Sequence, residues 1–152
     1  MAIYMDYGSG KIKGDVTQGT HKDWIEVSSF EWGMGRAIHT KVGSAKNREA
    51  SEPAVSEVII HKPFDSASVL LCQEVGVNAK PMTVKIDFCK TEDKGKPYIQ
   101  ITLTDTLISG YRVSSGGDRP SESLTLNFTK IEYSETEKSN KVSYDLTTAG
   151  KA

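Results

Sequence analysis

The sequence has few cysteines, almost no net charge and no long apolar stretch. Two cysteines in 152 residues do not make a disulfide framework, which excludes a small secreted domain held together by disulfides. A formal net charge of −1 leaves no basic excess with which to bind nucleic acid. No apolar stretch approaches the roughly 20 residues needed to span a bilayer, so membrane insertion is not expected.

The N-terminal stretch MAIYMDYGSGKIKG lacks the basic start and the long apolar segment of a signal peptide. Because the chain also has so little cysteine, we expect it to fold in a reducing cytoplasm. If the protein leaves the cell, we expect an export route that does not read a Sec signal.

The residues that most often bind metals are not clustered. His21, His39 and His61 lie far apart, so no pair has the spacing of zinc ligands. Cys72 and Cys89 do not form a C-x-x-C motif either. We expect two of the histidines on the surface in loops, one at a strand end, and Cys72 packed on a helix. No metal ion or cofactor is predicted.

Enzyme motifs built on glycine and serine are also absent. YGSGKIKG lacks the G-x-x-x-x-G-K-[ST] spacing that holds phosphates and is typical of a polar hairpin turn. No serine lies in a G-x-S-x-G motif. Scattered carboxylates such as Glu31 and Glu57 would need tertiary structure to pair them for catalysis. The sequence therefore predicts no catalytic residue, and an enzyme is not expected.

A nucleic-acid-binding barrel would carry aromatic residues interleaved with basic ones on one face. In this chain the aromatic residues share their strand parity with aliphatic residues, which places them in the core: Phe30, Trp32, Phe88 and Phe128. No nucleic-acid partner is predicted.

Strand-like patterns dominate the chain. Residues 82–89 alternate most regularly, with Met82, Val84, Ile86 and Phe88 on one face. Comparable patterns occupy residues 2–7, 23–34, 55–62, 98–113 (read as two strands), 122–135 and 141–146. About eight strands and one short helix predict a single domain, residues 1–152, built as an antiparallel β-barrel or sandwich with the helix docked on it.

The predicted helix lies in PFDSASVLLCQEVG, residues 63–76. Asp65 is placed to cap its first turn, and Phe64 and Val69 are spaced as a hydrophobic staple. Gly76 is placed to end the helix in the left-handed conformation. Four residues at helical spacing predict one buried face: Ala67, Leu70, Leu71 and Val75.

Two long strand candidates change parity midway. In residues 119–135 the apolar positions are even as far as Phe128 and odd from Ile131. The other change falls between Ser28 and Ser29. A β-bulge that bends the strand, as barrels require, would explain both changes. Burial of both strand faces, one of them by a second subunit, would explain them equally well.

The segment GRAIHTKVGSAKNREASEP, residues 35–53, follows neither the helical nor the strand period. Structureless loops longer than about 12–15 residues are uncommon in compact domains and often functional. Four basic residues precede its first acidic residue: Arg36, Lys41, Lys46 and Arg48. We therefore expect a long, basic, irregular loop.

Four segments in one order carry a family resemblance: SSFEWGMG (28–35), IIHKPFDSASVLLC (59–72), YIQITLTDTLISGY (98–111) and ESLTLNFTKIEYSE (122–135). They resemble the Hcp family, the tube protein of bacterial type VI secretion systems. The first is similar to the family's W-G-M strand end, and the second to the strand that runs through a lysine into the single helix. The last two are similar to its final long strands with their L-N-F core. The similarity covers nearly the whole chain, and residues 36–53 align least.

The resemblance implies a mainly β fold with one flanking helix, like phage tail tubes, assembled as a hexameric ring. Rings stack into a tube that a contractile sheath drives out of the cell, and the ring lumen carries or chaperones small effectors. Sheath proteins, a spike protein and effectors are the implied partners. The implied localisation is the bacterial cytoplasm, followed by secretion into the medium or a target cell. A phage-type tail tube protein, or a monomeric small hydrolase or binding barrel, remains the alternative.

The resemblance also suggests site residues. It places the strand of residues 24–34 near the lumen wall, and parity directs Glu31 away from the core, so we expect Glu31 to contact effectors. An ordinary solvated glutamate is the alternative. The basic loop is expected to contact the neighbouring ring through Arg36, Lys41, Lys46 and Arg48. Its acidic partners in ring stacking would be Glu132, Glu135 and Glu137; a solvated loop is the alternative.

Overall fold

The computed structural model describes residues 1–40, 42–43, 48–50, 52–77, 80–92, 95–148 and 150–151. These residues form one α-helix and strands that pair throughout in antiparallel fashion. The elements are β1 Ala2–Tyr7, β2 Ile25–Val27, β3 Ser29–Glu31, β4 Met34–Gly35, β5 Ile38–Thr40, β6 Arg48–Ala50, β7 Ala54–Val55, β8 Val58–Pro63, α1 Ser68–Gly76, β9 Met82–Cys89, β10 Pro97–Ser114, β11 Ser121–Asn127, β12 Lys130–Glu135, β13 Asn140–Asp145 and β14 Gly150–Lys151.

Two sheets make up the body of the protein. The first sheet has the order β2–β1–β9–β10–β12–β13–β14, and the second has the order β10–β11–β8–β3. They share β10, whose first half pairs with β9 and β12 and whose second half pairs with β11. The strand passes between the sheets at Asp105, which has a φ of 50°. The predicted pair of strands in residues 98–113 is thus one strand that serves both sheets of a sandwich.

Both parity changes occur where the chain passes from one sheet to the other. Ile25 and Val27 are buried in β2, which pairs with β1, whereas the following β3 pairs with β8 in the second sheet. Similarly, β11 pairs in the second sheet and β12 in the first. Strands that turn a corner between packed sheets present a different parity after the turn. The described chain therefore needs neither an inserted bulge residue at these two points nor a second subunit to explain the pattern.

The space between the sheets is filled by side chains from both. Met5, Ile86 and Leu103 of the first sheet are fully buried in one cluster with Ile60 and Leu124 of the second. Aromatic pairs join the sheets in β3 and directly after it, as the shared parity of the aromatic and aliphatic residues predicts. The Phe30 and Phe88 rings meet edge to face at 5.3 Å, and the Trp32 and Tyr133 ring centroids are 6.1 Å apart.

The helix is real, but its boundaries and buried face differ from the prediction. It begins at Ser68, and the residue at its N-cap is Ala67, so Asp65 is not the cap. Asp65 instead accepts a hydrogen bond from the Ala67 amide in the preceding turn, at 3.0 Å. Gly76 is the last helical residue and does not adopt the left-handed conformation.

Only a narrow stripe of α1 is buried. Leu71 is 0% exposed and Ala67 is also buried, as predicted, but Leu70 is 45% exposed and Val75 36%. The buried positions within the helix are spaced by three residues (Ser68, Leu71 and Glu74), so a short helix on one sheet hides one line of side chains. Phe64 and Val69 of the predicted staple are exposed as well, and so is Cys72.

The predicted irregular loop contains two short hairpin segments, which we call the arm (residues 34–55). β4 pairs with β7, and β5 pairs with β6 in the register Ile38 opposite Ala50. Strands of two or three residues are too short to show a period in the sequence. Met34 and Ile38 are 44% and 52% exposed, whereas Val55 at the other end of the arm packs against the core. Lys41 and Lys46 lie outside the described residues.

No helix in the described part of the chain is both long enough and apolar enough to cross a membrane.

Candidate functional site

Glu31 projects from the edge strand of the second sheet. It is exposed at the end of β3, while Phe30 beside it packs against the core, which confirms the predicted parity. Across the strand, Glu31 lies opposite Ile59 and Ser29 lies opposite His61. Whether Glu31 contacts an effector stays a prediction.

The strand registers define what we call the outer face of the second sheet. One row across it consists of Ser29, His61, Ser123 and Arg112. The neighbouring row consists of Glu31, Ile59, Thr125 and Gly110. Three of these eight residues carry a hydroxyl group, and a glutamate lies at one corner and an arginine at the opposite one. Such a face is suited to hydrogen bonding with polar surfaces.

The arm carries the four basic residues that were predicted to take part in ring stacking, and the structure describes two of them, Arg36 and Arg48. Arg36 is exposed between β4 and β5 and forms no ion pair with a described residue. The backbone of Arg48 lies in β6, opposite Thr40. The stacking role of these residues, and of Lys41 and Lys46, stays a prediction.

The three predicted acidic partners lie on the β12–β13 hairpin or just beyond β12. Glu132 forms an ion pair with Lys141, and Glu137 forms one with Lys90. Glu135 accepts a hydrogen bond from the Lys138 amide at 3.0 Å, which fixes the turn. Two of the three negative charges are thus partly offset within the chain, and the acidic excess is smaller than the sequence alone suggests.

A buried ionic cluster, missed in the sequence analysis, lies beneath the second sheet. Lys62 is fully buried, and its Nζ donates hydrogen bonds to Asp65 Oδ1, Glu122 Oε1 and Ser68 Oγ at 2.9, 2.9 and 3.1 Å. Tyr111 and Ser68 also donate to Glu122. The cluster joins β8, β10, β11 and the start of α1. Its sequence signal was present, since Lys62 has the same parity as buried Val58 and Ile60.

The cluster shifts the acidity of its members. Burial by itself would raise the pKa of Glu122, but hydrogen bonds from Ser68, Tyr111 and Lys62 hold this pKa below its ordinary value. Burial, and then the hydrogen bond to Glu122, raises the pKa of Tyr111. Near neutral pH the Glu122 carboxylate is therefore ionised and the Tyr111 phenol neutral. In this state Glu122 presents a negative charge to Nζ of Lys62.

A second buried pair corrects the prediction for His21, which is 3% exposed rather than a surface residue. Its Nε2 lies 2.8 Å from Asp87 Oδ2, and its Nδ1 lies 2.9 Å from Gln18 Oε1. The pair fixes the 3-10 turn Gly19–His21 on β9. No sequence signal marks the pair of His21 and Asp87, because the two residues are 66 positions apart in the chain.

The neighbouring Cys89 is not an activated nucleophile. Its Sγ lies 3.9 Å from His21 Nε2, the same nitrogen that faces Asp87, so these groups do not form a relay. Burial and the nearby Asp87 raise the pKa of the Cys89 thiol to about 11. In the described residues, no group of three or more histidine, cysteine, aspartate or glutamate side chains is arranged to hold a metal ion.

Comparison with known proteins covers nearly all of the chain. Residues 4–134 match the family model of the type VI secretion system effector, Hcp. A solved type six secretion system protein is 24% identical, with a TM-score of 0.86 over 99% of both chains. Hcp1 from Salmonella typhimurium is 19% identical, with a TM-score of 0.78 over 100% of both chains. Hcp1 from E. coli EAEC 042 is 18% identical, with a TM-score of 0.78 over 96% of this chain and 99% of that one.

Among curated proteins, no significant match was found. At these identities the solved structures establish the fold alone, whereas the family model matches well over half of the sequence. The chain therefore belongs to the Hcp family of type VI secretion system effectors.

Proposed function

We propose that the protein is the tube subunit of a type VI secretion apparatus. Copies assemble as a hexameric ring, rings stack into a tube, and the apparatus exports the tube with small effectors carried in the lumen. Sheath proteins around the tube and a spike protein at its tip are the remaining partners. The observation that carries the proposal is the family match over residues 4–134.

The edges of the sheets support assembly. Among the described residues, β2 and β3 each pair on one side only, and β14 ends the first sheet. Unpaired strand edges are templates for pairing with another chain. A head-to-tail contact between copies forms a closed ring when its rotation closes. The net charge of −1 per subunit avoids the self-repulsion that a strongly charged ring would accumulate.

The outer face of the second sheet supports the carrier role. Its two central rows present hydroxyl groups, a histidine, an arginine and Glu31, with only half-buried Ile59 as an aliphatic side chain. A polar wall of this kind holds a client by hydrogen bonds without trapping it on an apolar patch. We therefore assign this face to the lumen, with Glu31 as an effector contact.

The arm supports ring stacking. It leaves the body next to β3 and carries Arg36 and Arg48, together with Lys41 and Lys46. The acidic surface around Glu132, Glu135 and Glu137 is its proposed counterpart on the next ring. Charge complementarity of this kind sets orientation and register more than affinity.

Light scattering on the purified protein tests the assembly directly. A ring has several times the mass of the 16.6 kDa monomer, and a strictly monomeric protein at high concentration would contradict the proposal. Co-purification of untagged effectors of the same apparatus with the ring, and not with a matched ring from another apparatus, tests the carrier role.

A further inference from the structure

We propose that the outer face of the second sheet holds a carboxylate-binding site anchored by Arg112, which takes an acidic segment of the client protein. The identity of the client as a carried effector rests on the proposed function, but the site itself lies within one subunit.

The strand registers bring the groups of this site together. Arg112 lies opposite Ser123 across the β10–β11 pair, and Ser123 lies opposite His61 across the β11–β8 pair. Ser114 and Ser121 face each other one step further along the same strands. These residues line a shallow groove of about 450 Å³. It has room for several extended residues of a partner chain.

The charge of the groove rests on one residue. Arg112 is exposed and forms no salt bridge with any residue in the described ranges. Glu122 also lines the groove, but it is 1% exposed, and both of its oxygens accept hydrogen bonds from the buried cluster. The cluster beneath contains Lys62 against Asp65 and Glu122, so it adds no positive charge.

Glu31 does not neutralise Arg112. It lies on β3, three strands away from β10 in the order β3–β8–β11–β10, and one row further along. At about 4.8 Å per strand, the separation across the sheet is about 14 Å. The face therefore has an acidic corner and a basic corner, and an extended client can contact both.

A carboxylate fits the donors that are present. An arginine guanidinium offers a planar fork of N–H groups that matches a carboxylate in a bidentate arrangement. Serine hydroxyls donate to the same kind of oxygen. Nucleic acid fits less well, because it would require several cations and several aromatic platforms, whereas the two rows of this face offer one arginine and one aromatic ring, the imidazole of His61.

The test is fluorescence anisotropy with a labelled hexaglutamate peptide, at low ionic strength, on the purified full-length protein. Arg112→Gln should weaken binding about threefold to fivefold, as expected for an exposed charged pair. The affinity of Arg112→Lys for the peptide should lie between those of the parent and of Arg112→Gln, because lysine keeps the positive charge but lacks the planar fork of N–H groups. Lys85→Gln is the matched control, since it removes one exposed positive charge from the first sheet and should leave binding unchanged.

Each outcome decides the proposal. Equal affinity of the parent and of Arg112→Gln, with both folded by unfolding midpoint, would overturn it. Equal binding of an oligothymidylate that is lost in the same variant would show a general polyanion site and overturn the peptide assignment. A monomeric protein that still binds hexaglutamate through Arg112 would refute the ring and leave the site standing. An intact ring in which Arg112→Gln binds hexaglutamate as tightly as the parent would support the ring and refute the site.

Discussion

Nζ of Lys62 lies 2.9 Å from Oε1 of Glu122, and solvent reaches neither side chain. The pair bridges β8 and β11 under the helix, where Asp65 provides a second carboxylate at 2.9 Å. A buried charge without its partner has a large desolvation penalty, so the fold depends on all three groups being present together.

Replacing Lys62 by methionine should therefore destabilise the protein strongly. The substitution keeps most of the apolar stem and removes the charge that satisfies Asp65 and Glu122. We expect a loss of about 3–5 kcal/mol in the free energy of unfolding, measured by urea denaturation at fixed protein concentration. Lys85→Met, on an exposed position of β9, is the matched control and should change stability by about 0.5 kcal/mol or less.

The same pair should be strongly coupled. In the double variant Lys62→Met with Glu122→Gln, the second change removes a carboxylate that the first left uncompensated. The combined loss should therefore be smaller than the sum of the two single losses by about 0.5–3 kcal/mol. Losses that simply add would show that the two side chains act independently.

Stability should also fall in acid because of Glu122. Its pKa is lower in the folded protein than its ordinary value of 4.5, so folding favours the ionised form. This contribution is fully present above the ordinary value and is lost as the pH falls through the folded one. Urea denaturation between about pH 3 and pH 6 should show a shallower acid slope in Glu122→Gln than in the parent.

Asp15 provides the comparison for this experiment. Hydrogen bonds from Ser66 also lower the pKa of Asp15, but this carboxylate is on the surface, where solvent screens the effect. Asp15→Asn should keep most of the parent's acid slope. An unchanged slope in Glu122→Gln would mean that other carboxylates control acid unfolding.

The helix offers two adjacent leucines with opposite environments. Leu71→Ala should reduce the free energy of unfolding by about 2–5 kcal/mol, because Leu71 is 0% exposed in the core. Leu70→Ala should lose less than about 1 kcal/mol, since Leu70 is 45% exposed. Thermal or urea denaturation of both variants measures the difference. Equal losses would mean that another copy of the chain buries Leu70 in the assembled ring.

Glu31→Lys tests the effector contact. The ring should keep its mass by light scattering, because Glu31 is exposed and its neighbour Phe30 keeps its place in the core. The amount of effector that co-purifies should change, since the acidic corner of the outer face of the second sheet becomes basic. Glu92→Lys, at an exposed position in the turn after β9, is the control and should leave effector retention unchanged. Unchanged retention of several effectors by Glu31→Lys would count against the contact.

The strands could be predicted from the sequence wherever one parity stayed apolar. Residues 82–89 were predicted with the observed boundaries because Val84 and Ile86 face the core. The corner between β2 and β3 was visible as a parity change, but local sequence does not reveal that the chain had entered another sheet. Hydrogen bonds between strands distant in sequence decide that point.

The helix and the polar clusters show where local patterns fail. Leu70 and Leu71 look equivalent in the sequence, and only the contact of α1 with the sheet separates them. His21 and Asp87 are paired by tertiary structure alone, so no spacing rule identifies them. Lys62 had a usable signal, because a lysine at core parity requires buried partners.

Ring stacking should weaken as salt rises, while the ring itself persists. The arm carries Arg36, Lys41, Lys46 and Arg48, and the proposed surface on the next ring carries Glu132, Glu135 and Glu137. Each exposed pair contributes only about 0–1 kcal/mol, but the symmetry of a ring repeats it at every joint. Near 1 M salt the Debye length falls to about 3 Å, which screens such pairs, whereas apolar contacts within the ring are not weakened.

Charge reversal in the arm should have the same effect as salt. Replacing Lys46 and Arg48 with glutamate should shorten tubes at low salt, as seen by electron microscopy, because the arm would then repel the acidic surface. Since Glu132 and Glu137 are already paired with lysines, the residual attraction depends on how many acidic charges remain unpaired at the joint. Lys13→Glu with Lys22→Glu makes the same change in net charge at exposed positions outside the arm and should leave tube length unchanged. Tubes of equal length across the salt series and in both variants would show that electrostatic attraction does not hold the rings together.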